Sequence, residues 1–266
     1  MFVGFDINLQ NYLKDNLKYY NIGKKLYRGT KNDVEKQLKN YICDKKIING
    51  TLLQKDWFPQ VKADVFISHS HTDEKLAITL AGWLSEKFGI VSFIDSSIWG
   101  YSSDLLNKLN EEYSVMKKED SGEITYYHSK ANYSASHVHM MLTNALTRMI
   151  DRSECVFFLN TSNTINVPAG YEKSRTSSPW IYLELSITEM IRSKKLALYR
   201  EDRLYNKAMF EASNLNISYK VNTEHLYKLK DNDLINWEKK HKSKNKVVAL
   251  DGLYMDQGIL SDLSGN

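Results

Sequence analysis

Short apolar runs alternate along the chain with longer segments in which apolar residues recur every three or four positions. The runs are DVFIS at 64–68, GIVSFID at 89–95, CVFFLN at 155–160 and KLALY at 195–199. Near-continuous apolar strands separated by helices are typical of a parallel sheet, because parallel crossovers lay helices over both of its faces. The pattern therefore predicts an α/β fold: an open, flavodoxin-like parallel sheet flanked by helices.

The predicted helices lie between these strands. One follows the first strand, one spans about 136–151, and one begins at Pro179. Open parallel sheets bind ligands beyond the carboxyl ends of their strands. Residues 68–71, 95–101 and 160–164 are therefore predicted to line the mouth of any site.

Residues 1–60 show a different pattern. Asn49-Gly50 lies between apolar pairs, and this dipeptide accepts the positive φ angles of a hairpin turn. We expect a small helical and hairpin extension at 1–60, followed by the α/β domain at 61–266. The helices of the extension are predicted from two apolar stripes: Leu9, Leu13, Leu17 and Tyr20, then Val34, Leu38, Tyr41 and Ile42.

Two segments of the predicted α/β domain are additions to the strands and helices that a flavodoxin-like fold needs. The polar, tyrosine-bearing segment at about 102–135 is far longer than a usual connection, and it fits a lid, a partner surface or a flexible insert. The C-terminal extension, about 200–266, contains a possible strand at 217–221 and a possible helix around 234–240. It ends with the apolar run VVALDGLYM at 247–255, and the pattern does not give the spatial order of these parts.

Composition narrows the classes of function. The chain has 266 residues, 42% of them hydrophobic, which is enough for a sizeable core. The net charge is only +4, and the basic cluster at 239–246 has no interleaved aromatic residues, so nucleic-acid binding is not predicted. No apolar run approaches the ~20 residues that span a bilayer, and the first residues do not resemble a secretion signal. Cys43 and Cys155 are the two cysteines, too few for a disulfide framework. We therefore expect a cytoplasmic protein without membrane association.

One carboxylate stands out in the stretch TSSPWIYLELSITEMI at 176–191. Ser178 and Pro179 form a helix start, with a capping hydroxyl before a proline at the first helical position. At 3.6 residues per turn, Glu184 lies on the apolar stripe of this helix and Glu189 on its opposite, solvent-exposed side. Partial burial of a charged carboxylate is energetically unfavourable unless a positive or hydrogen-bonding group contacts it, so Glu184 is a candidate reactive group. The alternative is that Glu184 lies at the edge of the stripe with its carboxyl group in water.

Several known motifs are incomplete or missing. The run HSHTD at 69–73 is similar to a binuclear metal-ligand set, but Glu74 stands where a further histidine is needed and a helix follows, so no metal site is expected. A phosphate-receiver domain needs an aspartate where Asn160 stands. Neither a P-loop nor a Rossmann glycine turn is present, so no bound cofactor is expected.

The segment DVFISHSHTDEKLAITLAGWLSEKFGIVSFID at 64–95 resembles the opening of a Toll/interleukin-1 receptor (TIR) domain, with its F-I-S signature and a second strand that ends in aspartate. The stretch SPWIYLEL resembles the W-x-x-x-E element of that family, with Trp180 four residues before Glu184. The resemblance covers roughly residues 63–200. It implies the TIR form of the flavodoxin-like fold.

In enzymatic TIR domains this glutamate is the catalytic residue, so the resemblance assigns Glu184 to cleavage of the nicotinamide–ribosyl bond of NAD+, the substrate. It implies an ADP-ribose-derived signal, cyclic, linear or conjugated, as in bacterial antiphage defence of the Thoeris type. Self-association through TIR surfaces, a separate effector that responds to the product, and a phage-derived trigger are the implied partners. The implied NAD-binding residues are Phe66, Ile67, Ser68, His69, Ser70, Asp95, Trp99, Tyr101 and Trp180.

Two other functions fit the same pattern. Many TIR domains are non-enzymatic adaptors that signal only through TIR–TIR association. A nucleoside deoxyribosyltransferase also uses a glutamate in a flavodoxin-like sheet. Turnover of NAD+ and of nucleosides, tried side by side, separates these hypotheses.

Overall fold

The chain folds around a parallel sheet that has five strands within the described residues. This computed structural model describes residues 1–30, 41, 48–119, 122–166, 174–191, 193–199, 219–241 and 245–260, without the side chains of 28–30, 97–100, 197–198 and 219–220. The strands are β1 (Val3–Asn8), β2 (Val65–Ser68), β3 (Ser92–Ile94), β4 (Val115–Lys118), β5 (Ile124–Tyr126), β6 (Cys155–Leu159), β7 (Arg175–Thr176), β8 (Tyr219–Lys220) and β9 (Tyr227–Lys230). The helices are α1 (Leu17–Thr30), α2 (Gly50–Trp57), α3 (Glu74–Phe88), α4 (Ser96–Tyr113), α5 (His128–Arg152), α6 (Pro179–Met190), α7 (Asp231–Lys240) and α8 (Lys246–Asp256).

The central sheet has the order β3-β2-β6-β1-β9, and every neighbouring pair is parallel. Numbered along the chain, these five strands run 3-2-4-1-5, whereas the flavodoxin order is 2-1-3-4-5. The two orders become the same if the fourth flavodoxin strand is supplied by the N-terminus of the chain. The predicted α/β fold with a parallel sheet flanked by helices is confirmed.

The N-terminal segment differs from the predicted helical extension. Residues Val3–Asn8 form a buried strand between β6 and β9. Of the first predicted stripe, Leu17 and Tyr20 lie in α1, whereas Leu9 and Leu13 precede this helix. A central parallel strand is buried on both faces and reads as an apolar run, but Gly4 and Asp6 interrupt this run. A Cβ at Gly4 would lie 2.5 Å from Cδ2 of Leu226, so the end of that side chain would have to shift.

Two further local predictions are wrong. Asn49 does not begin a hairpin turn, since its side chain caps α2 by accepting a hydrogen bond from the Leu52 N–H at 3.0 Å. Leu196–Tyr199 forms a 3₁₀ turn instead of the predicted strand, and β1 is the strand that pairs with β6 on the side away from β2. The predicted stripe residues Val34, Leu38 and Ile42, the apolar Ile47, and parts of the 217–221 strand and the 239–246 cluster lie outside the described residues.

The core has one layer on each face of the sheet. Side chains alternate along β2, so that Val65 and Ile67 join α1, α3, α7 and α8, while Phe66 joins α2, α4, α5 and α6. On the first face, Phe88 stacks on Trp237 with ring centroids 4.2 Å apart. The two layers hold the carboxyl ends of the strands in fixed positions.

The predicted insertion has regular structure where it is described. Helix α4 runs from Ser96 to Tyr113, an antiparallel hairpin of β4 and β5 follows, and α5 begins at His128 instead of near Ser136. Every residue of β4 is exposed. No helix in the described ranges combines the length and the apolarity that crossing a membrane requires.

Candidate active site

Helix α6 carries Glu184 to the carboxyl edge of the sheet. Its start is as predicted: Pro179 is the first helical residue, and the Ser178 hydroxyl accepts a hydrogen bond from the Ile181 N–H at 3.3 Å. Glu184 is only 1% exposed, so it is more deeply buried than its position on the stripe indicates. Glu189, on the opposite side of the helix, is exposed.

The Glu184 carboxyl group meets the end of β2. The hydroxyl of Ser68, the last residue of that strand, donates a hydrogen bond of 2.5 Å to Glu184 Oε2. Glu184 Oε1 is buried without a donor of another type among the described groups, and the Glu184 and Asp95 carboxyl groups share a hydrogen bond when Glu184 holds a proton. The Glu184 carboxyl group is therefore held by Ser68 and coupled to Asp95.

A second carboxylate and a histidine lie in the same buried cluster. Asp95 follows β3, and its Oδ1 lies 2.5 Å from Nδ1 of His69, which follows β2. Both side chains are 0% exposed. Burial raises the pKa of Asp95 well above its ordinary value and lowers the pKa of His69 to about 4, so His69 is neutral at physiological pH.

Burial also raises the pKa of Glu184 well above its ordinary value, and the negative charge of Asp95 adds to the effect. The hydrogen bond from Ser68 and the nearby His69 act in the opposite direction. Two carboxyl groups that interact in a low-dielectric site do not ionise independently, because the first negative charge opposes the second. The pair therefore retains a proton over a wider pH range than exposed carboxyl groups do.

The three segments predicted to line the mouth do lie at the carboxyl ends of β2, β3 and β6. Among the residues implied by the TIR resemblance, the structure brings Ser68, His69 and Asp95 together with Glu184. Ser70 is nearby but donates its hydrogen bond to Asp73 Oδ2 at 2.6 Å.

Four other residues implied by the resemblance make contacts with the core or with α5. The side chain of Phe66 packs on Phe93 with ring centroids 5.4 Å apart, and Ile67 belongs to the core on the other face. Tyr101 is partly buried against the layer that contains α5. Trp180, one turn before Glu184, packs edge-on against His139 with ring centroids 5.7 Å apart. The side chain of Trp99 lies outside the described residues.

The HSHTD run does not assemble a metal site. His69 is buried beside Asp95, whereas His71 is exposed in a 3₁₀ turn. The Asp73 carboxylate accepts hydrogen bonds from Thr161 Oγ1 at 2.6 Å and Asn163 Nδ2 at 2.9 Å, so it ties the β2 edge to the loop after β6. Within the described part of the chain, no group of three or more histidine, cysteine or acidic side chains is placed to hold a metal ion.

Sequence reasoning missed Asp6 at this edge. Asp6 lies in β1, is 5% exposed, and its Oδ2 accepts a hydrogen bond of 3.1 Å from Asn160 Nδ2. The signal was available, since a charged residue inside the apolar run FVGFDI is unusual for a buried strand. The helical extension predicted for 1–60 leaves no strand at this run.

Two cavities lie away from Glu184. One, of about 280 Å³, is at the amino end of the sheet between Asp64, Glu154 and Lys246, and the other, of about 140 Å³, is an apolar groove beside β3. In this conformation the Glu184 carboxyl is enclosed, so a substrate reaches it only if covering groups move.

Comparison of the chain with protein-family models, with curated proteins and with solved structures finds no match. The class of molecule is therefore defined by its own features: an open, parallel α/β sheet with a buried cluster of two carboxyl groups, a serine and a histidine at its carboxyl edge.

Proposed function

We propose that this protein cleaves the nicotinamide–ribosyl bond of NAD+ and that Glu184 is the catalytic carboxylate. The observation that carries the proposal is the buried Glu184 carboxyl at the carboxyl edge, hydrogen-bonded by Ser68 and close to Asp95. Active sites are where burial and like charges shift carboxyl pKa values in this way. The TIR resemblance of the Trp180 and Glu184 spacing supplies the substrate.

The chemistry suits a carboxylate that is protonated when the site is empty. The nicotinamide ring of NAD+ is cationic, so bound substrate brings positive charge beside Glu184 and favours its ionised form. As the bond to nicotinamide breaks, the ribose develops oxocarbenium character, which a carboxylate stabilises as in glycoside cleavage. Nicotinamide leaves as a neutral molecule, so the leaving group needs no proton.

The neighbouring side chains take supporting roles. Ser68 orients Glu184 through its hydrogen bond, and Asp95 adds negative charge near the developing cation. Trp180 lies at the start of α6, where it could pack against the ribose or the nicotinamide. The product is an ADP-ribose derivative, cyclic, linear or conjugated, that acts as a signal for a separate effector in antiphage defence.

The enclosed carboxyl also favours a second candidate. A TIR-like adaptor that signals only by association with other TIR surfaces needs no open pocket, and Glu184 is 1% exposed. In the enzymatic proposal, self-association or a phage-derived trigger opens the site instead. Both proposals predict self-association, so only turnover separates them.

The decisive experiment measures release of nicotinamide from NAD+ by the wild type, Glu184→Gln and Glu189→Gln. Glutamine preserves the size of the side chain but cannot become a carboxylate. We expect Glu184→Gln to lower turnover by about a hundredfold to a thousandfold, on the scale of losing one electrostatic stabiliser of a transition state. Glu189→Gln is the matched control, because Glu189 is exposed on the other side of the same helix.

Turnover is measured over a range of protein concentrations and with infected-cell extract, so that assembly or a trigger can open the site. Mass spectrometry identifies the product. Equal nicotinamide release by Glu184→Gln and wild type would remove Glu184 from the mechanism. No release by the wild type under any of these conditions, together with self-association, would favour the adaptor.

A further inference from the structure

The first strand of the chain adds a third carboxylate, after Glu184 and Asp95, to the edge that carries the candidate site. In the sheet, Ser68 on β2 is paired with Phe158 on β6, and Phe158 is paired with Asp6 on β1. Paired residues of neighbouring strands point to the same face. Asp6 therefore faces the same layer as Ser68 and Glu184, about 10 Å along the sheet from Ser68, which is two strand spacings.

The core clusters give the same orientation. Phe5 and Ile7, on either side of Asp6, join the layer on the opposite face. Phe158, between Asp6 and Ser68, packs on Ile181 and Leu185 of α6. Asp6 thus lies on the α6 side of the sheet, toward the carboxyl end of its strand.

Asp6 is held in a half-satisfied state. Its Oδ2 accepts the hydrogen bond from Asn160, but its Oδ1 is buried and receives no hydrogen bond from any described group. Burial raises the pKa of Asp6, although the charge of Lys228 on β9 lowers it. A buried polar group without a partner is destabilising, and an apolar residue would suit a central strand better.

A ligand that donates hydrogen bonds would complete this carboxylate. In dinucleotide-binding α/β folds, an acidic residue on the sheet hydrogen-bonds a ribose hydroxyl at the carboxyl edge. NAD+ has two riboses, joined by a pyrophosphate, and Glu184 acts on the one that bears nicotinamide in the function proposed above. The second ribose therefore needs a hydroxyl acceptor elsewhere along the same edge.

We propose that Asp6, positioned by Asn160, binds the hydroxyl groups of the adenosine ribose of the dinucleotide. The inference rests on the proposed function, and it assigns the N-terminal strand to the substrate site. Asp6 is a binding residue and takes no part in breaking the glycosidic bond.

The test compares NAD+ with nicotinamide mononucleotide, which has the reacting ribose but no adenosine. Asp6→Asn keeps the size of the side chain and removes the negative acceptor. We expect it to lower the ratio of kcat/KM for NAD+ to kcat/KM for the mononucleotide about tenfold, the effect of one hydrogen bond to a charged group. Asp104→Asn, which removes an exposed carboxylate on α4, is the control.

A substrate change provides the same test without relying on the variant. Wild-type protein given NAD+ whose adenosine ribose lacks its 2′ and 3′ hydroxyls should lose about tenfold in kcat/KM. Because both changes remove the same contact, combining them should cost no more than either alone. Full additivity of the two losses would overturn the proposal.

The outcomes distinguish this inference from the proposed function. If the wild type cleaves NAD+ and Asp6→Asn has the wild-type substrate ratio, the ribose subsite is wrong and NAD+ cleavage stands. If the wild type releases no nicotinamide, calorimetric titration with ADP-ribose decides. Binding that Asp6→Asn weakens about tenfold supports the subsite, while equal binding or no binding overturns it.

Discussion

Replacing Glu184 with glutamine should change how stability depends on pH, whatever the protein does. The pKa of Glu184 in the folded chain is raised well above the ordinary value of 4.5 by burial and by Asp95. Between those two pKa values the folded state holds a proton that the unfolded chain has lost. Raising the pH through this window therefore favours the unfolded state.

The sign and size follow from proton binding. Below about pH 4.5 both states hold the proton, so the stability linked to Glu184 is fully present. As the pH rises toward the folded pKa, the wild type loses up to about 1.4 kcal/mol per pH unit for this one proton. Glu184→Gln has no such proton, so its stability relative to wild type should increase at that rate. Because Asp95 and His69 interact with Glu184, their titration also changes in Glu184→Gln, and the difference reports the coupled cluster as a whole.

The assay is urea unfolding followed by tryptophan fluorescence at several values between about pH 5 and pH 8. Glu189→Gln is the control, because an exposed glutamate should give a small and nearly constant difference from wild type. A Glu184→Gln difference that stays constant across this pH range would refute the buried carboxyl pair. The m-values of the three proteins should agree, so that the comparison reports stability alone.

Two other substitutions test the packing and the site. Gly82→Ala should lower the free energy of unfolding in urea by about 3 kcal/mol. The reason is that a Cβ there would overlap the backbone oxygen of Tyr19, where α1 crosses α3. Gly50→Ala is the control, because its Cβ would make only an ordinary contact and should change the free energy of unfolding little. Ser68→Ala should lower kcat/KM for NAD+ about tenfold at neutral pH. It should also move the acidic limb of the pH–rate profile to higher pH, because the Ser68 hydroxyl lowers the pKa of Glu184. An acidic limb at the same pH in both proteins would argue against this hydrogen bond.

Local patterns were reliable where one element buries a continuous apolar surface. The runs at 64–68 and 155–160 are strands, and the start of α6 at Pro179 lies where its cap and proline predict. Leu196–Tyr199 is equally apolar but forms a 3₁₀ turn. A short apolar run fits a buried strand and a buried turn equally well, so its spacing could not distinguish them.

The candidate site was only partly visible for a related reason. Helix spacing identified Glu184, and the strand ends identified Ser68 and Asp95, because these depend on neighbours in the sequence. The hydrogen bond between Ser68 and Glu184 joins residues that are 116 positions apart in the sequence. The hydrogen bond between Asn160 and Asp6 joins residues that are 154 positions apart. Such contacts depend on the order of strands in the sheet.

The class of fold follows from the amino-acid sequence alone, because the alternation of apolar runs and helical stripes indicates which surfaces must be buried. The amino-acid sequence also determined the start of α6 and the presence of a carboxylate on that helix's apolar side. The placement of the N-terminal strand between β6 and β9, with Asp6 on the face of Glu184, depends on tertiary contacts. The order of strands depends on how whole layers pack together. The local sequence of a parallel strand does not show which other strand it pairs with.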